Sequence, residues 1–188
     1  VHLDAEDIST LAEHGASVAH CPHSNLKLAS GIAPVTELAR RGVNVGIGTD
    51  GSASNNRLDL IAEMRTAALL AKVQSGDAGA WPAWQALEAA TLGGARALGM
   101  ADSIGSLIPG KSADLVAIDL SGAQLVPVFD PVSHLVYSAG RDLVSDVWID
   151  GCHVVHKRQL QSQSGAMRVS EVVARTSVWQ NRISEILS

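Results

Sequence analysis

Asp50 is the residue whose setting most readily supports chemistry. An uncharged run from Val43 to Ile47 leads into Gly48-Thr49-Asp50, and the chain then breaks into Gly51-Ser52-Ala53-Ser54-Asn55-Asn56. The run reads as a strand buried on both faces. A carboxylate at the C-terminal tip of a buried parallel strand is where α/β barrels place their chemistry. On such a rigid support Asp50 can ligate a divalent metal. Beside a water acidified by that metal it can also take a proton. The same position suits a cap for the following helix, and spacing alone does not choose between the two roles.

The histidines are the other candidate ligands. His20 ends the preceding predicted strand. It can serve there as a ligand or proton shuttle, or it can hydrogen-bond and steady the next loop. Pro22 turns the chain away directly afterwards, which favours the loop role. His2 and His23 read as polar surface or supporting groups, and His14 as a helix-end residue whose cationic form suits the dipole. His134, His153 and His156 read as structural or exposed. Ser24, Asn25 and Lys27 share one loop, and Ser54, Asn55 and Asn56 share the other. Such residues can bind a ligand, but they equally satisfy loop backbone. No nucleophile elbow, phosphate-binding loop, dinucleotide fingerprint or zinc-finger spacing occurs in the sequence. Gly93-Gly94 reads as close helix packing rather than a phosphate cradle.

These side chains need elements to hold them. Asp4 is expected to cap a first helix, with Asp7 echoing a capping box. Ile8, Leu11 and Ala12 give its apolar stripe and Gly15 its stop. Ala16 to His20 reads as a strand and Cys21 to Gly31 as a loop. Pro34 opens a helix through Leu38 to Arg41, ended by Gly42, and Val43 to Thr49 is the second strand. Arg57 to Lys72 is a helix with Leu58, Ile61, Ala62, Met64, Ala68 and Leu69 at helical spacing. Pro82 to Leu98 is helical again, with a break near Gly93-Gly94. This alternation means a parallel sheet with crossover helices. Two strands do not make a stable parallel sheet, so further strands are expected outside this sequence.

Beyond Asp102 the period changes. Ile104 to Lys111 is turn-rich, and Asp114 to Leu120 alternates as a strand. Asp130-Pro131 opens a short helix or turn through Tyr137. Leu143 to Ile149 and Cys152 to His156 flank Asp150-Gly151, a type I′ hairpin signal. Gln161 to Gly165 is a polar linker. Ser170 is expected to cap a last helix carrying Val172, Val173, Val178, Trp179, Ile183, Ile186 and Leu187 on one broad side.

Composition narrows the class. The 188 residues are 46% apolar and 18% charged, enough to bury a core in one large or two small domains. Aromatics are only 3%, so Leu, Val, Ile and Ala must fill that core. A formal net charge of -5 without a basic block argues against nucleic acid or an anionic membrane as partner. Cys21 and Cys152 lie far apart and in no Cys-x-x-Cys pattern, which fits a reduced, cytoplasmic setting. No apolar run approaches the roughly 18–20 residues of a membrane span, and no signal peptide is visible. The sequence opens Val1-His2-Leu3 without an initiator methionine, directly before a helix signal. It is therefore expected to be the rear part of a longer protein, or a processed or truncated product.

Two loops carry a resemblance. Ser24-Asn25-Leu26-Lys27-Leu28-Ala29-Ser30-Gly31-Ile32-Ala33-Pro34-Val35, then Gly48-Thr49-Asp50-Gly51 with Ser54-Asn55-Asn56, resemble the amidohydrolase superfamily. The branch they resemble is that of the 5′-methylthioadenosine/S-adenosylhomocysteine deaminases and their triazine-hydrolase relatives. Gly105 to Val116, Asp130 to Tyr137 and Val147 to Gly151 also fit it, so the resemblance covers nearly the whole chain. His23 and Ser52 depart mildly from the pattern.

The resemblance implies an α/β fold, the C-terminal part of a (β/α)8 TIM-type metal-dependent hydrolase barrel with part of a composite β-sandwich. Residues 1–102 would be the barrel segment from the end of strand 6 through helix 8, 103–160 the sandwich segment, and 161–188 a linker and C-terminal helix. It also implies one divalent metal, usually zinc, held by a His-x-His pair on strand 1, a strand-5 histidine and a strand-8 aspartate, which Asp50 matches. The other ligands, a proton-handling glutamate in a His-x-x-Glu motif and a strand-6 histidine have no match in this chain. His2 falls just after the last one's expected place.

The reaction implied is hydrolytic deamination at C6 of an adenosine-type purine. A metal-activated water adds to the ring carbon, Asp50 takes its proton, and ammonia leaves. Ser54 and Asn55 would line the mouth beside substrate, while His20 and Asn25 would support the strand-7 loop. Guanine or cytosine deamination and s-triazine hydrolysis are alternatives on the same scaffold. A different class of alternative is a non-catalytic fragment or interaction module, because a catalytic zinc takes three protein ligands. The isolated segment is expected to be inactive, to bind metal weakly and to aggregate. The partner implied is a small molecule, a purine nucleoside or related heterocycle, without nucleic acid or membrane; a homo-oligomer is left open.

Overall fold

The computed structural model describes residues 1–161 and 169–187. Helix α1 spans Ala5–Glu13, and its start is the expected capping box: Asp4 accepts from the Glu6 and Asp7 amides while Asp7 accepts from the Asp4 amide. Strand β1 (Ser17–His20) follows. Helix α2 (Pro22–Lys27) then occupies part of the stretch expected to be loop. Its polar sequence hides the helix, but Pro22 at its first turn is pre-set for helical φ and needs no amide partner. Helix α3 is Val35–Arg40 and strand β2 is Asn44–Ile47.

Strands β1 and β2 pair in parallel, with Ser17 opposite Asn44 and His20 opposite Ile47. Both strands therefore end side by side at their C-terminal tips. Helix α4 (Leu60–Ser75) is capped by Asp59, whose carboxylate accepts from the Ala62 amide. It turns Glu63, Met64, Ala67, Ala68 and Ala71 inward. Leu58 and Leu69, expected on the buried stripe, are exposed. Leu58 precedes the helix in a left-handed conformation, and Leu69 falls off the inward face.

Helix α5 (Ala83–Glu88), a π-helical turn at Ala89–Gly93 and helix α6 (Gly94–Ala97) form one continuous helical path rather than a broken one. The widening occurs where this path lies on β2. A Cβ on Gly93 would stand 2.5 Å from the Val45 carbonyl oxygen, so only glycine lets the backbones approach this closely. The Asn44 side-chain amide donates 2.9 Å to the Gly93 oxygen and fixes the contact. The glycine pair is thus a packing device.

The remaining elements are β3 (Leu115–Ile118), α7 (Pro131–Tyr137), a 3-10 turn at Arg141–Leu143, β4 (Val144–Ile149), β5 (Cys152–His156), β6 (Gln159–Leu160) and α8 (Val169–Leu187). Strands β3 to β6 form an antiparallel sheet in chain order. The β4–β5 turn has Asp150 and Gly151 both at positive φ, as a type I′ turn requires. Helix α7 leaves this sheet and packs on the first part of the chain: Val136 belongs to the main core with Leu38, Val45 and Ala68. Arg65 on α4 ties it down, donating to the Val136 and Ala139 carbonyls. Among the described residues helix α8 covers Val169–Leu187, so Ser170 lies within the helix rather than at its cap. Val172, Val173, Val178, Trp179, Ile183 and Ile186 are exposed on it. Most of the linker, from 162 to 165, lies outside the described residues. Among the described residues no helix is long and apolar enough to cross a membrane.

Candidate active site

Asp50 stands just beyond the tip of β2, at φ 59°. That left-handed conformation is uncommon for a residue with a side chain and concentrates at functional positions. Its carboxylate is cradled. Ser24 Oγ donates 2.7 Å to Oδ2, Ser54 Oγ donates 3.1 Å to the same oxygen, and the Gly51 amide donates 2.7 Å to Oδ1. Ser24 and Ser54 also lie 2.8 Å from each other. These bonds favour the anion and hold the Asp50 carboxyl below the usual range, Ser24 contributing most, then the Gly51 amide, then Ser54. Asp50 does not cap α4, because that helix begins beyond Asp59, which does.

Ser24 reaches Asp50 because α2 starts directly after β1. The first turn of that helix is buried at Pro22 and Ser24. Lys27 on the same helix crosses to the Asp50 loop, donating to the Ala53 carbonyl at 2.9 Å and to Asn56 Oδ1 at 2.7 Å. The two strand-end segments are thus bound to each other.

Beneath them lies Glu63, a fully buried carboxylate on α4. Asn55 Nδ2 donates 2.6 Å to its Oε1, and the His23 amide donates 3.0 Å to its Oε2. His23 Nδ1 lies 2.6 Å from Oε1, and its Nε2 lies 2.8 Å from Thr66 Oγ1. Asn55 also donates 2.8 Å to the Thr49 carbonyl, one residue before Asp50. Glu63 therefore joins the segment after β1 to the segment after β2, under the Asp50 carboxylate.

The predicted site residues separate on this geometry. Asp50 and Ser54 come together. Asn55 is buried and turned inward to Glu63 and Thr49, so it shapes the Asp50 loop from below instead of lining a mouth. Asn25 takes part through its backbone in α2 and the turn after it: its amide donates to the Cys21 carbonyl and its carbonyl accepts from the Ser30 amide. His20 is buried with Nδ1 unpartnered, so that nitrogen steadies no loop. Burial pushes its pKa down to about 4. Residue types alone do not disclose that Ser24 bonds Asp50 or that His23 meets Glu63. The one available signal was a charge at Glu63 set between Ala62 and Met64 on the apolar side of a helix.

Burial pushes the Cys21 thiol up, which disfavours the thiolate, its reactive form. A cavity of about 440 Å³, lined by Val43, Asn44, Val45, Trp81 and Arg96 among others, opens at the start of β2, the end away from Asp50. Among the described residues the only trio of ligating side chains able to converge on one ion is Asp146, His153 and His156 on the antiparallel sheet. Asp50 thus offers a single ligand with charge, support and an exposed face.

Known proteins place this arrangement. The model of the amidohydrolase family matches residues 1–154. The 5-methylthioadenosine/S-adenosylhomocysteine deaminase of Teredinibacter turnerae is 49% identical over 186 residues, 97% of this chain and 41% of the relative. That of Desulforudis audaxviator is 51% identical over 177 residues, 93% of this chain and 41% of the relative. Among solved structures, an adenosine deaminase from Xanthomonas campestris with bound zinc superposes with a TM-score of 0.94 at 50% identity, over 98% of this chain and 41% of that one. Atrazine chlorohydrolase from Arthrobacter aurescens, complexed with zinc, gives 0.86 at 31% identity, over 95% and 39%. The chain spans about two fifths of the length of these relatives, 41% of each deaminase. With a family match over residues 1–154 and relatives about half identical over nearly all of it, the chain belongs to the amidohydrolase family.

Proposed function

We propose that this chain is the C-terminal part of a metal-dependent hydrolase that deaminates 5′-methylthioadenosine or S-adenosylhomocysteine, releasing ammonia from the purine ring. The observation that carries this reading is the Asp50 carboxylate, held at a parallel-strand tip by three donors in a chain about half identical to deaminases. Among the described residues β1 and β2 pair only with each other, which supports the rest of a (β/α)8 barrel being supplied by residues outside this sequence. The antiparallel sheet supports a β-sandwich segment. On this reading the segments are 1–102, 103–160 and 161–188.

The donor set around Asp50 fits a divalent cation such as zinc. An ionised carboxylate has about four acceptor sites, and hydrogen bonds occupy three here, with Oδ1 the less used oxygen. Ligating carboxylates are themselves hydrogen-bonded in this way. Asp50 would be one ligand, and the remaining ligands would come from outside this chain, since a catalytic zinc takes three protein ligands. The metal supplies acidification of a water to near neutrality.

The chain's own residues do the following. Ser24 and Ser54 fix Oδ2 and keep Asp50 ionised. Oδ1, with only the Gly51 amide upon it, holds the one remaining site, through which Asp50 would face the metal and the water it acidifies. Glu63, Asn55 and His23 hold both strand-end segments so that Asp50 does not swing. The small molecule would enter above Asp50, and the net charge of -5 supports a nucleoside rather than a nucleic acid as partner. Two free cysteines support a cytoplasmic setting.

The test is ammonia release by the whole protein from 5′-methylthioadenosine, S-adenosylhomocysteine, guanine and an s-triazine. The reading requires turnover of one of the first two in preference to the others. Preference for guanine or the triazine would move the protein to a sister activity. The lower identity to the triazine enzyme, 31% against 50%, favours the deaminase.

A further inference from the structure

His153 and His156 are three residues apart on β5, a spacing that puts side chains on opposite faces of a regular strand. The pairing of β5 with β4 is not regular. Trp148 faces His153, while its neighbour Val147 faces Val155, so Val154 is an extra residue, a β-bulge. Paired residues share a face. His153 therefore points with Trp148, Val155 points with Val147 to the other side, and His156 returns to the face of His153. Asp146, two residues before Trp148 on β4, lies on that face as well. The bulge thus collects one carboxylate and two imidazoles that a regular hairpin would separate.

The side chains meet. His153 Nε2 lies 2.9 Å and His156 Nδ1 lies 3.0 Å from the same oxygen, Asp146 Oδ1. The Lys157 amide donates to that oxygen at 3.2 Å and fixes the carboxylate. Trp148 stacks on the His153 ring, with centroids 4.3 Å apart and planes 11° from parallel, which sets the direction of its nitrogens. Ligand atoms of all three residues lie within 4.8 Å of one another. Tetrahedral zinc with bonds of about 2.0–2.1 Å needs ligand atoms about 3.4 Å apart, so only small rotations of partly exposed rings close the site.

We propose that Asp146, His153 and His156 bind a divalent transition-metal ion on the β4–β5 hairpin. Two imidazoles and a carboxylate suit zinc better than magnesium or calcium, which prefer oxygen ligands. The ion crosslinks the two strands across the bulge and holds their register, a structural role that stabilises the sheet. No step of the deamination involves it, and it does not depend on the proposed substrate.

The experiment uses the whole protein with its active-site metal already loaded. Zinc is titrated calorimetrically, and bound metal is counted by elemental analysis in the wild type, His153→Gln and His156→Gln. The expected result is one further zinc in the wild type, with affinity lower by at least about 10–100-fold in each variant, the scale of losses on perturbing a metal site. Equal stoichiometry and affinity in all three would overturn the site. Crystals of unmutated protein soaked in zinc give a check independent of variant folding. An anomalous peak bonded to Asp146, His153 and His156 supports the proposal, and the absence of that peak at saturating zinc rejects it.

Discussion

Glu63 Oε1 lies 2.6 Å from His23 Nδ1, although 40 residues separate the two. Glu63 has no exposed surface, and its carboxyl oxygens are met by the His23 amide, the His23 ring and the Asn55 side chain. Removing Glu63 leaves the buried Asn55 amide without that acceptor, and a buried hydrogen-bonding group left unsatisfied costs about 1–3 kcal/mol. Glu63→Ala in the whole protein is expected to lower stability by that order and to loosen the Asp50 loop. Denaturant unfolding checks the first expectation, and a lowered kcat checks the second. A variant as stable as wild type would show that the network is not a structural tie.

Ser24 governs the ionisation of Asp50. Asp50 has a lowered folded-state pKa, so the ionised form persists as pH falls and is lost only below its usual range. Ser24→Ala removes the largest of the stabilising hydrogen bonds, and the pKa rises back toward its ordinary value. The acid limb of the kcat/KM profile is expected to move to higher pH in Ser24→Ala, with a smaller movement in Ser54→Ala. Superimposable acid limbs would assign that limb to another group.

His20 makes stability pH-dependent. Its pKa is about 4 when folded, because burial disfavours the cation, against 6.5 for the free group. The unfolded chain therefore takes up the proton first as pH falls. Stability contributed by neutral His20 is full above 6.5 and is lost as pH falls from there to about 4. At about 1.4 kcal/mol per pH unit, the loss is on the order of 3 kcal/mol. In His20→Gln that part of the slope is expected to vanish, as measured by denaturation midpoints across this window. An unchanged slope would contradict the assignment.

Gly93 sets how closely the helical path rides on β2. A methyl group there meets the Val45 carbonyl oxygen at 2.5 Å, a backbone atom that cannot rotate away. Gly93→Ala is expected to cost about 1–3 kcal/mol, the range for overpacking. Thermal unfolding beside Gly42→Ala separates the two effects: nothing lies within 4 Å of a Cβ on Gly42, so any cost there comes from its φ of 79° alone.

Several features were legible because they are local. The capping box at Asp4 and Asp7, the Asp150-Gly151 turn and the strand that leads to Asp50 each rest on neighbouring residues. Helix α2 was not, because Pro-His-Ser-Asn carries loop-forming types and no side-chain cap marks its start. The Glu63 network joins residues far apart in sequence, so only the tertiary fold reveals it. Likewise His153 and His156 read as unrelated until the extra residue Val154 turns both to one face. Asn55 shows the opposite error: loop composition suggested a ligand contact, whereas burial assigns it to Glu63.

The central claim is that Asp50 is both metal ligand and proton acceptor in a purine deaminase. The most direct measurement is ammonia release from 5′-methylthioadenosine by the whole protein, wild type against Asp50→Asn, with metal content determined on the same samples. The account predicts turnover in the wild type, a fall of at least about 10²–10⁴-fold in Asp50→Asn, the range for loss of a proton-transfer group, and reduced bound metal. Asp50→Asn with wild-type turnover and full metal content would contradict it.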